Sequence, residues 1–154
     1  MKLIGVLSDT HGLLRPEAAA ALKGVDLIIH AGDIGKEEVL EGLRKTAPVI
    51  AVRGNCDRGA WAADYPETAE VEIEDLRIFV LHDLKQLDFE PQKRRINLVI
   101  SGHSHKPKEE IKDGVTYINP GAAGPRRFSL PVSAALIEVN NRSVKVTFKD
   151  INQP

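Results

Sequence analysis

Short apolar runs of strand length recur along the first half of the chain, and polar residues follow each of them. The first three runs are residues 3–7, 25–29 and 48–52. Continuous apolar runs of this length are typical of strands that are buried on both faces of a sheet. Two helical segments separate them: one opens at Pro16 and stops before Gly24, and the other covers residues 36–45. Because strand and helix alternate, we predict parallel βαβ units in this half.

The second half of the chain carries the signals of antiparallel hairpins. The turn signals are Glu74-Asp75, Asp113-Gly114 and Asn140-Asn141. Around and between them we predict strands at residues 71–73, 76–81, 97–100, 132–139 and 143–148. Helices early and hairpins late are typical of a mixed α/β fold. No linker or repeat divides the sequence, so we predict one domain over residues 1–154.

Composition and charge argue against several classes of function. The net charge is −1, and Lys and Arg form no long block, which argues against duplex nucleic acid as a partner. No stretch approaches the roughly 20 apolar residues of a membrane span, and the N-terminus lacks the long apolar region of a signal peptide. One cysteine allows no internal disulfide. We therefore expect a cytoplasmic protein with no membrane contact, while homo-oligomerisation stays open.

Seven side chains of metal-ligand type follow the ends of predicted strands. They are Asp9, His11, Asp33, Asn55, His82, His103 and His105. In open α/β sheets, ligands bind beyond the carboxyl ends of the strands, so these side chains can meet at one edge. In extended backbone, a spacing of two residues points Asp9 and His11 to the same side. The pattern therefore predicts a metal site.

The number of ligand side chains favours two ions over one. Two divalent ions about 3.5–4 Å apart, bridged by a carboxylate, are typical of two-metal hydrolases. Asp33 is the expected bridge, because Gly32 lets the backbone come close. The charge of two divalent ions exceeds that of the carboxylates of Asp9 and Asp33, so the site keeps positive charge and favours a phosphate ester. Such ions can lower the pKa of a bound water towards ~7.

The same residues, in this order, resemble the calcineurin-like metallophosphoesterase superfamily. The chain length and the segments Ser8-Asp9-Thr10-His11-Gly12, Gly54-Asn55-Cys56-Asp57 and Asn119-Pro120-Gly121 resemble its small bacterial and archaeal phosphodiesterase branch. The resemblance implies a four-layer α/β sandwich of two mixed sheets flanked by helices. It also implies a metal-bridging hydroxide that attacks phosphorus in line with the leaving group.

The resemblance further implies a role for each ligand. One ion would be held by Asp9, His11, Asp33 and His105, and the other by Asp33, Asn55, His82 and His103. Larger relatives carry, directly after the asparagine, a histidine that is thought to protonate the leaving group. Here that position is Cys56, a poor substitute at neutral pH, so the general acid stays unassigned. Asp83 after His82 and Ala122 after Gly121 are further departures from the branch.

Several of these residues also have plain structural interpretations. Asp9 and Asp33 could cap the helices that follow them, and Asn55 with Asp57 could form a turn. His30 points to the opposite face of its strand and is expected in the core. Cys56 could be an inert buried thiol. Arg126 and Arg127 could both reach the phosphate, although a solvated loop is expected for at least one of them. Trp61 and Tyr65 could line the pocket mouth, with packing against the sheet as their structural interpretation.

The function expected from this sequence is a dinuclear metal-dependent phosphoesterase, more probable as a phosphodiesterase than as a monoesterase. Its substrate would be a small phosphate ester, and Arg127 could donate to the phosphate. Mn²⁺ is the first metal expected, with Ni²⁺, Zn²⁺ or Fe as alternatives. Two other functions stay open: a non-catalytic protein-interaction scaffold on the same fold, and a nuclease for small nucleotide diesters.

Overall fold

Two five-stranded mixed sheets pack against each other in the computed structural model, which describes residues 1–127 and 129–151. The first sheet has the order β10-β9-β1-β2-β3. Its strands are β1 (Lys2–Leu7), β2 (Leu27–His30), β3 (Val49–Ala51), β9 (Ser133–Asn140) and β10 (Ser143–Asp150). The strands β1, β2 and β3 are parallel, and helices α1 (Pro16–Ala21) and α2 (Glu37–Arg44) connect them. The predicted βαβ units are therefore confirmed.

The second sheet has the order β4-β5-β6-β8-β7. Its strands are β4 (Thr68–Ile73), β5 (Leu76–Leu81), β6 (Leu98–Ile100), β7 (Lys108–Lys112) and β8 (Val115–Asn119). The three central strands are parallel, and the hairpin partners β4 and β7 pair antiparallel at the edges. The last predicted turn is wrong by one residue: Asn140 pairs with Ser143, and Asn141 takes the left-handed conformation at a φ of 59°.

Alternation along the strands creates the layers. In β1, Ile4 and Val6 face the core between the sheets, whereas Leu3 and Leu7 face the helices. The outer face of the second sheet buries Phe79 among other apolar residues. Short 3₁₀ turns at Leu84–Gln86 and Pro91–Arg94 accompany that face in place of α-helices. The two mixed sheets of the predicted fold are thus confirmed, with one thin outer layer.

The described helices are short, and none has the length and apolar character needed to cross a bilayer. The helix α1 covers six residues and α2 covers eight. The N-cap residues Arg15 and Lys36 make no side-chain cap hydrogen bond. Neither Asp9 nor Asp33 caps a helix, so the capping interpretation of these two carboxylates is wrong.

Asp57 ties together the loops that follow β2 and β3. Its buried carboxylate accepts three backbone N–H bonds, from Ile34 at 3.0 Å, Gly35 at 2.9 Å and Gly54 at 2.8 Å. Hydrogen bonds to a charged acceptor are the stronger kind in proteins. One carboxylate therefore fixes the spacing of two loops that carry predicted ligands.

His30 connects the loops that follow β1 and β2. Its Nδ1 accepts from the Gly32 N–H at 3.1 Å, so Nε2 carries the proton and donates to Thr10 Oγ1 at 2.9 Å. Thr10 in turn donates to the Ile34 carbonyl at 2.8 Å. His30 is fully buried and fully satisfied as a neutral ring. This agrees with the expectation of a core histidine.

Loss of the Asp57 carboxylate should destabilise the protein. We expect Asp57→Ala to lower the free energy of unfolding by ~2–4 kcal/mol, because it leaves three backbone donors without their charged acceptor. Urea denaturation measures this change. Asp64→Ala, at an exposed carboxylate, is the matched control and should change little. Equal stability of the two variants would contradict the bracing role of Asp57.

The stability of the protein should also depend on the protonation of His30. Burial, with a smaller contribution from the charge of His82, lowers its pKa from 6.5 to about 3. Between these values the unfolded chain binds the proton and the folded chain does not, so stability falls as the pH falls. From pH 6.5 to 4.5, we expect wild type to lose ~2–3 kcal/mol more than His30→Gln in urea unfolding. Parallel pH profiles of the two proteins would refute this assignment.

Candidate metal centre

Two buried carboxylates lie at the centre of the predicted site. His82 Nε2 is 3.2 Å from Asp33 Oδ2 and 3.8 Å from Asp9 Oδ1. These three groups come from the ends of β1, β2 and β5, so both sheets contribute to the same point. All three residues are buried. The predicted convergence of Asp9, Asp33 and His82 is therefore present.

Two further imidazoles complete the cluster on the side of Asp9. His105 Nε2 is 3.3 Å from Asp9 Oδ1. His11 Nε2 is 3.7 Å from both Asp9 Oδ1 and Asp33 Oδ2. The spacing allows Asp9, His11 and His105 to hold one cation, and Asp9, Asp33 and His82 to hold another. Asp33 also lies within reach of His11, as expected of a bridging group.

Each carboxylate uses one oxygen for the protein and presents the other to the site. Asp9 Oδ2 accepts from Ser8 Oγ at 2.7 Å and from the His103 N–H at 3.1 Å. Asp33 Oδ1 accepts from the Cys56 N–H at 2.9 Å. The opposite oxygens face the imidazoles. Outer contacts of this kind orient the ligands of metal sites.

Buried atoms without a hydrogen-bond partner concentrate at this point. Within residues 1–127 and 129–151, five buried side-chain atoms lack such a partner, and four of them belong to the site. The four are Asp9 Oδ1, His11 Nε2, His82 Nε2 and His105 Nδ1. A buried polar atom without a partner is costly and calls for an explanation. Divalent cations would satisfy three of these atoms, Asp9 Oδ1, His11 Nε2 and His82 Nε2, so the residues fit the metal that the sequence predicts.

The tautomer of His82 suits the binding of a metal ion through Nε2. Its Nδ1 lies 2.8 Å from the Ala31 carbonyl, which can only accept, so Nδ1 carries the proton. The lone pair of Nε2 then faces the two carboxylates. A metal-binding histidine commonly donates its other N–H to a carbonyl in this way.

The backbone at the site is strained. Five of the seven predicted ligands have a positive φ: Asp9, His11, Asp33, His103 and His105. This conformation costs a non-glycine residue roughly 1 kcal/mol or more. The other described non-glycine residues with positive φ are Glu74, Arg95, Asp113 and Asn141. Extended backbone at Asp9 and His11 was therefore a wrong expectation: the two side chains converge through left-handed residues.

Two glycines let the strand ends approach each other closely. A Cβ at Gly54 would overlap the carboxylate and backbone of Asp33, and one at Gly102 would overlap Ser8 Oγ. Both glycines have an ordinary φ, so space and not conformation requires them. A side chain at either position would push a carboxylate away from the imidazoles.

Local charges shift the pKa values of the cluster in opposite directions. Burial alone raises the pKa of Asp33, but the adjacent His82 ring and the hydrogen bond from the Cys56 N–H reverse this and hold it far below its ordinary value. Burial lowers the pKa of His82, but the adjacent carboxylates of Asp33 and Asp9 raise it overall. The pKa of His105 is lowered, chiefly by burial. The Asp33 carboxylate therefore stays ionised, as metal binding requires.

The two remaining predicted ligands lie at the rim. His103 is exposed, and its ring centroid lies 5.2 Å from that of His82. Its Nε2 is 3.9 Å from Asp83 Oδ2, a residue that the sequence interpretation noted only as a departure. Asn55 is exposed beside Cys56, with its Nδ2 3.6 Å from the thiol. Neither His103 nor Asn55 joins the central cluster in this geometry.

Cys56 is exposed, so the interpretation as a buried thiol is wrong. Its sulfur lies close enough to His11 and Asp33 to form a group of metal-ligand type with them. The pKa of this thiol is raised, first by burial of the sulfur and then by the charge of Asp33. The thiol is therefore protonated at neutral pH, yet it lies at the site itself.

Sequence interpretation missed the residues that hold the ligand loops. Asn119 Nδ2 donates to the Gly102 carbonyl at 2.9 Å and to Ser104 Oγ at 3.0 Å, which fixes the loop that carries His103. Ser8 anchors Asp9 from the preceding position. Both residues stand inside the motifs Ser8-Asp9 and Asn119-Pro120-Gly121. Their place in the motifs was thus a signal for these two roles.

The predicted substrate contacts separate from each other in the structure. Arg126 Nε donates to the Leu130 carbonyl at 3.2 Å, within its own loop. Arg127 is exposed, and its charge lowers the pKa of His105 in addition to burial, which puts that charge near the site. Trp61 and Tyr65 pack on the core beneath the helices, as their structural interpretation expected.

Comparison with known proteins gives this geometry a context. The family model of the calcineurin-like phosphoesterase superfamily domain matches residues 1–142. A probable metallophosphoesterase of Methanothermobacter thermautotrophicus is 36% identical over 141 residues, which cover 84% of this chain and 81% of that protein.

Solved structures share the fold over nearly the whole chain. An archaeal phosphodiesterase superposes with a TM-score of 0.79 at 26% identity and covers 96% of this chain and 99% of its own. Vps29 of Chaetomium thermophilum superposes with a TM-score of 0.78 at 19% identity, covering 97% and 96%, and this likeness concerns the fold alone. Together with the sequence match, these findings show that the chain belongs to the calcineurin-like phosphoesterase superfamily.

Proposed function

We propose that this protein is a dinuclear metal-dependent phosphodiesterase. The observation that carries the proposal is a set of three unpartnered buried atoms around the two carboxylates: Asp9 Oδ1, His11 Nε2 and His82 Nε2. Imidazole nitrogens and carboxylate oxygens together suit first-row divalent metals, of which Mn²⁺ is our first choice before Ni²⁺, Zn²⁺ or Fe. The relatives named as metallophosphoesterase and phosphodiesterase support the same class of reaction.

The ligand sets follow the clusters and the resemblance. One ion is assigned to Asp9, His11, Asp33 and His105, and the other to Asp33, Asn55, His82 and His103. Asn55 and His103 are at the rim, so binding of the second ion requires their side chains to turn inward by rotation about side-chain bonds. When bound, the two ions supply positive charge at the phosphate and lower the pKa of a water.

The protein's own residues orient the reacting groups. The Ala31 carbonyl holds the ring of His82, and Ser8 and the His103 N–H hold Asp9, so neither ligand needs to reorganise. Arg127 can donate two parallel hydrogen bonds to a phosphate, a geometry that only a guanidinium offers among side chains. The open site suits a small diester. We place the reaction in the cytoplasm, with an accessible phosphate ester as the partner.

Removal of a central ligand should abolish turnover without unfolding the chain. We expect Asp33→Ala and His105→Ala to lower kcat/KM for bis(p-nitrophenyl) phosphate at least ~100-fold and to lower the bound metal per chain. Elemental analysis and steady-state kinetics on the same samples measure both effects. The exposed Asp64→Ala is the control and should keep wild-type values.

The outcome would also separate an enzyme from a scaffold. Wild-type protein that binds no divalent metal and shows no turnover with any of them would favour a non-catalytic protein-interaction role on the same fold. Full activity in both ligand variants would exclude the dinuclear mechanism.

Arg127 should contribute to substrate binding and less to chemistry. We expect Arg127→Ala to raise KM about tenfold with a smaller change in kcat, because a charged hydrogen-bond pair with phosphate is lost. Arg126→Ala is the matched control, since Arg126 donates within its own loop and should leave KM unchanged. A larger effect from Arg126 than from Arg127 would reverse the assignment.

A further inference from the structure

A groove of about 490 Å³ opens beside the metal centre on the outer face of the second sheet. Ser101 lies at the end of β6, and Leu84 and Tyr117 stand on either side, on the segments that follow β5 and form β8. His103 lines the same groove. Because His103 also contacts the ring of His82 and donates its N–H to Asp9, the groove borders the candidate metal centre.

The groove has an exposed apolar side chain, Leu84, in its wall. Leu84 is 41% exposed, one of five large apolar side chains that are exposed among the described residues. It lies in a 3₁₀ turn whose N-cap residue, Asp83, accepts from the Lys85 N–H at 3.1 Å through its side chain, so the turn is held in place. Small-molecule sites typically combine apolar walls with a few polar groups in a volume of this size.

The charges of the groove balance, which argues against a second anion as its occupant. Two acidic residues, Asp83 and Glu110, and two basic residues, Lys85 and Lys108, line it. Lys108 Nζ is 3.1 Å from Glu110 Oε2, so that pair neutralises itself. An occupant that gains from these walls is therefore uncharged, and it is apolar where it meets Leu84 and Tyr117.

A larger cleft of about 760 Å³ offers a contrast at the other end of the same sheet. It is lined by charged residues of both signs, such as Glu72, Arg77 and Asp113, and none of the predicted ligands lines it. It lies beside the start of β5, β6 and β8, away from the strand ends that carry the site. Of these two cavities, the groove at His103 is the one that borders the candidate metal centre.

We propose that this groove binds a planar ring, such as a nucleobase, on one substituent of the phosphodiester. Stacking on Tyr117 and contact with Leu84 would hold the ring, while the phosphate lies at the metal centre. The inference rests on the proposed phosphodiesterase function and narrows it to esters that carry a ring. Stacking of one base on an aromatic side chain changes affinity by about tenfold or more.

A matched pair of inhibitors tests the groove apart from the catalytic chemistry. Thymidine 5′-phosphate and its abasic counterpart, 1,2-dideoxyribose 5-phosphate, carry the same dianion and the same sugar backbone and differ in the base. We expect thymidine 5′-phosphate to inhibit hydrolysis of bis(p-nitrophenyl) phosphate with a Ki about tenfold lower than that of the abasic phosphate. The ratio of the two Ki values isolates the contribution of the ring.

Variants assign that contribution to the groove. Tyr117→Ala should reduce the Ki ratio to about one, and Tyr117→Phe should keep it, because the ring remains. Leu84→Ser changes an exposed residue and should reduce the ratio about threefold without a risk to folding. Ile111→Ser is its control, since Ile111 is 71% exposed and does not line the groove.

The possible failures are distinguishable. If wild type hydrolyses the diester and both phosphates inhibit it with equal Ki values, the groove proposal is wrong and the proposed function stands. The same holds if the ratio is high but neither Tyr117→Ala nor Leu84→Ser lowers it. If wild type hydrolyses no phosphodiester with any divalent metal, the proposed function itself fails.

Discussion

The two oxygens of each buried carboxylate at the site have different partners, and the rest of the structure depends on this constraint. Asp9 and Asp33 each bind the protein with one oxygen and face the imidazoles with the other. Two buried negative charges this close repel each other, and a dry interior strengthens that repulsion. Backbone donors and neighbouring imidazoles offset part of it, and cations would offset the rest. The carboxylates and imidazoles of the site thus form a set of groups that is suited to binding cations.

The rigid fold supports the strain that this arrangement creates. Left-handed backbone at residues such as Asp9 and His105 costs free energy that the loops alone could not recover. Asp57 and the buried ring of His30 connect the loops to each other, and the tightly packed core between the sheets connects them to the strands. The free energy that the strained backbone costs at the site is offset by stabilising contacts elsewhere in the fold. Active sites and their scaffolds usually stand in this relation.

Function in this superfamily depends on what surrounds a shared metal centre, because a fold by itself does not define a substrate. In this chain, few features surround the candidate metal centre: the guanidinium of Arg127, the exposed thiol of Cys56, and the groove between Leu84 and Tyr117. The thiol occupies the place where larger relatives carry an acid. A protonated thiol is a weak proton donor to an alkoxide, so a good leaving group matters more in this site. Under the proposed function, that property and the neutral groove would favour activated or ring-bearing diesters.

The sequence by itself determined the α/β class, the alternation of strand and helix in the first half and the residue types that converge at the site, because burial of apolar runs and the chemistry of Asp and His are local properties. It did not determine the turn at Asn141, the exposure of Cys56 or the conformation at Asp9 and His11. Spacing predicted convergence in extended backbone, whereas the chain converges through left-handed residues. Those residues are held by contacts between distant segments, such as the His103 N–H on Asp9 and the Cys56 N–H on Asp33. Only the tertiary structure decides such contacts, because the free energy that maintains a strained backbone comes from partners far away in the chain.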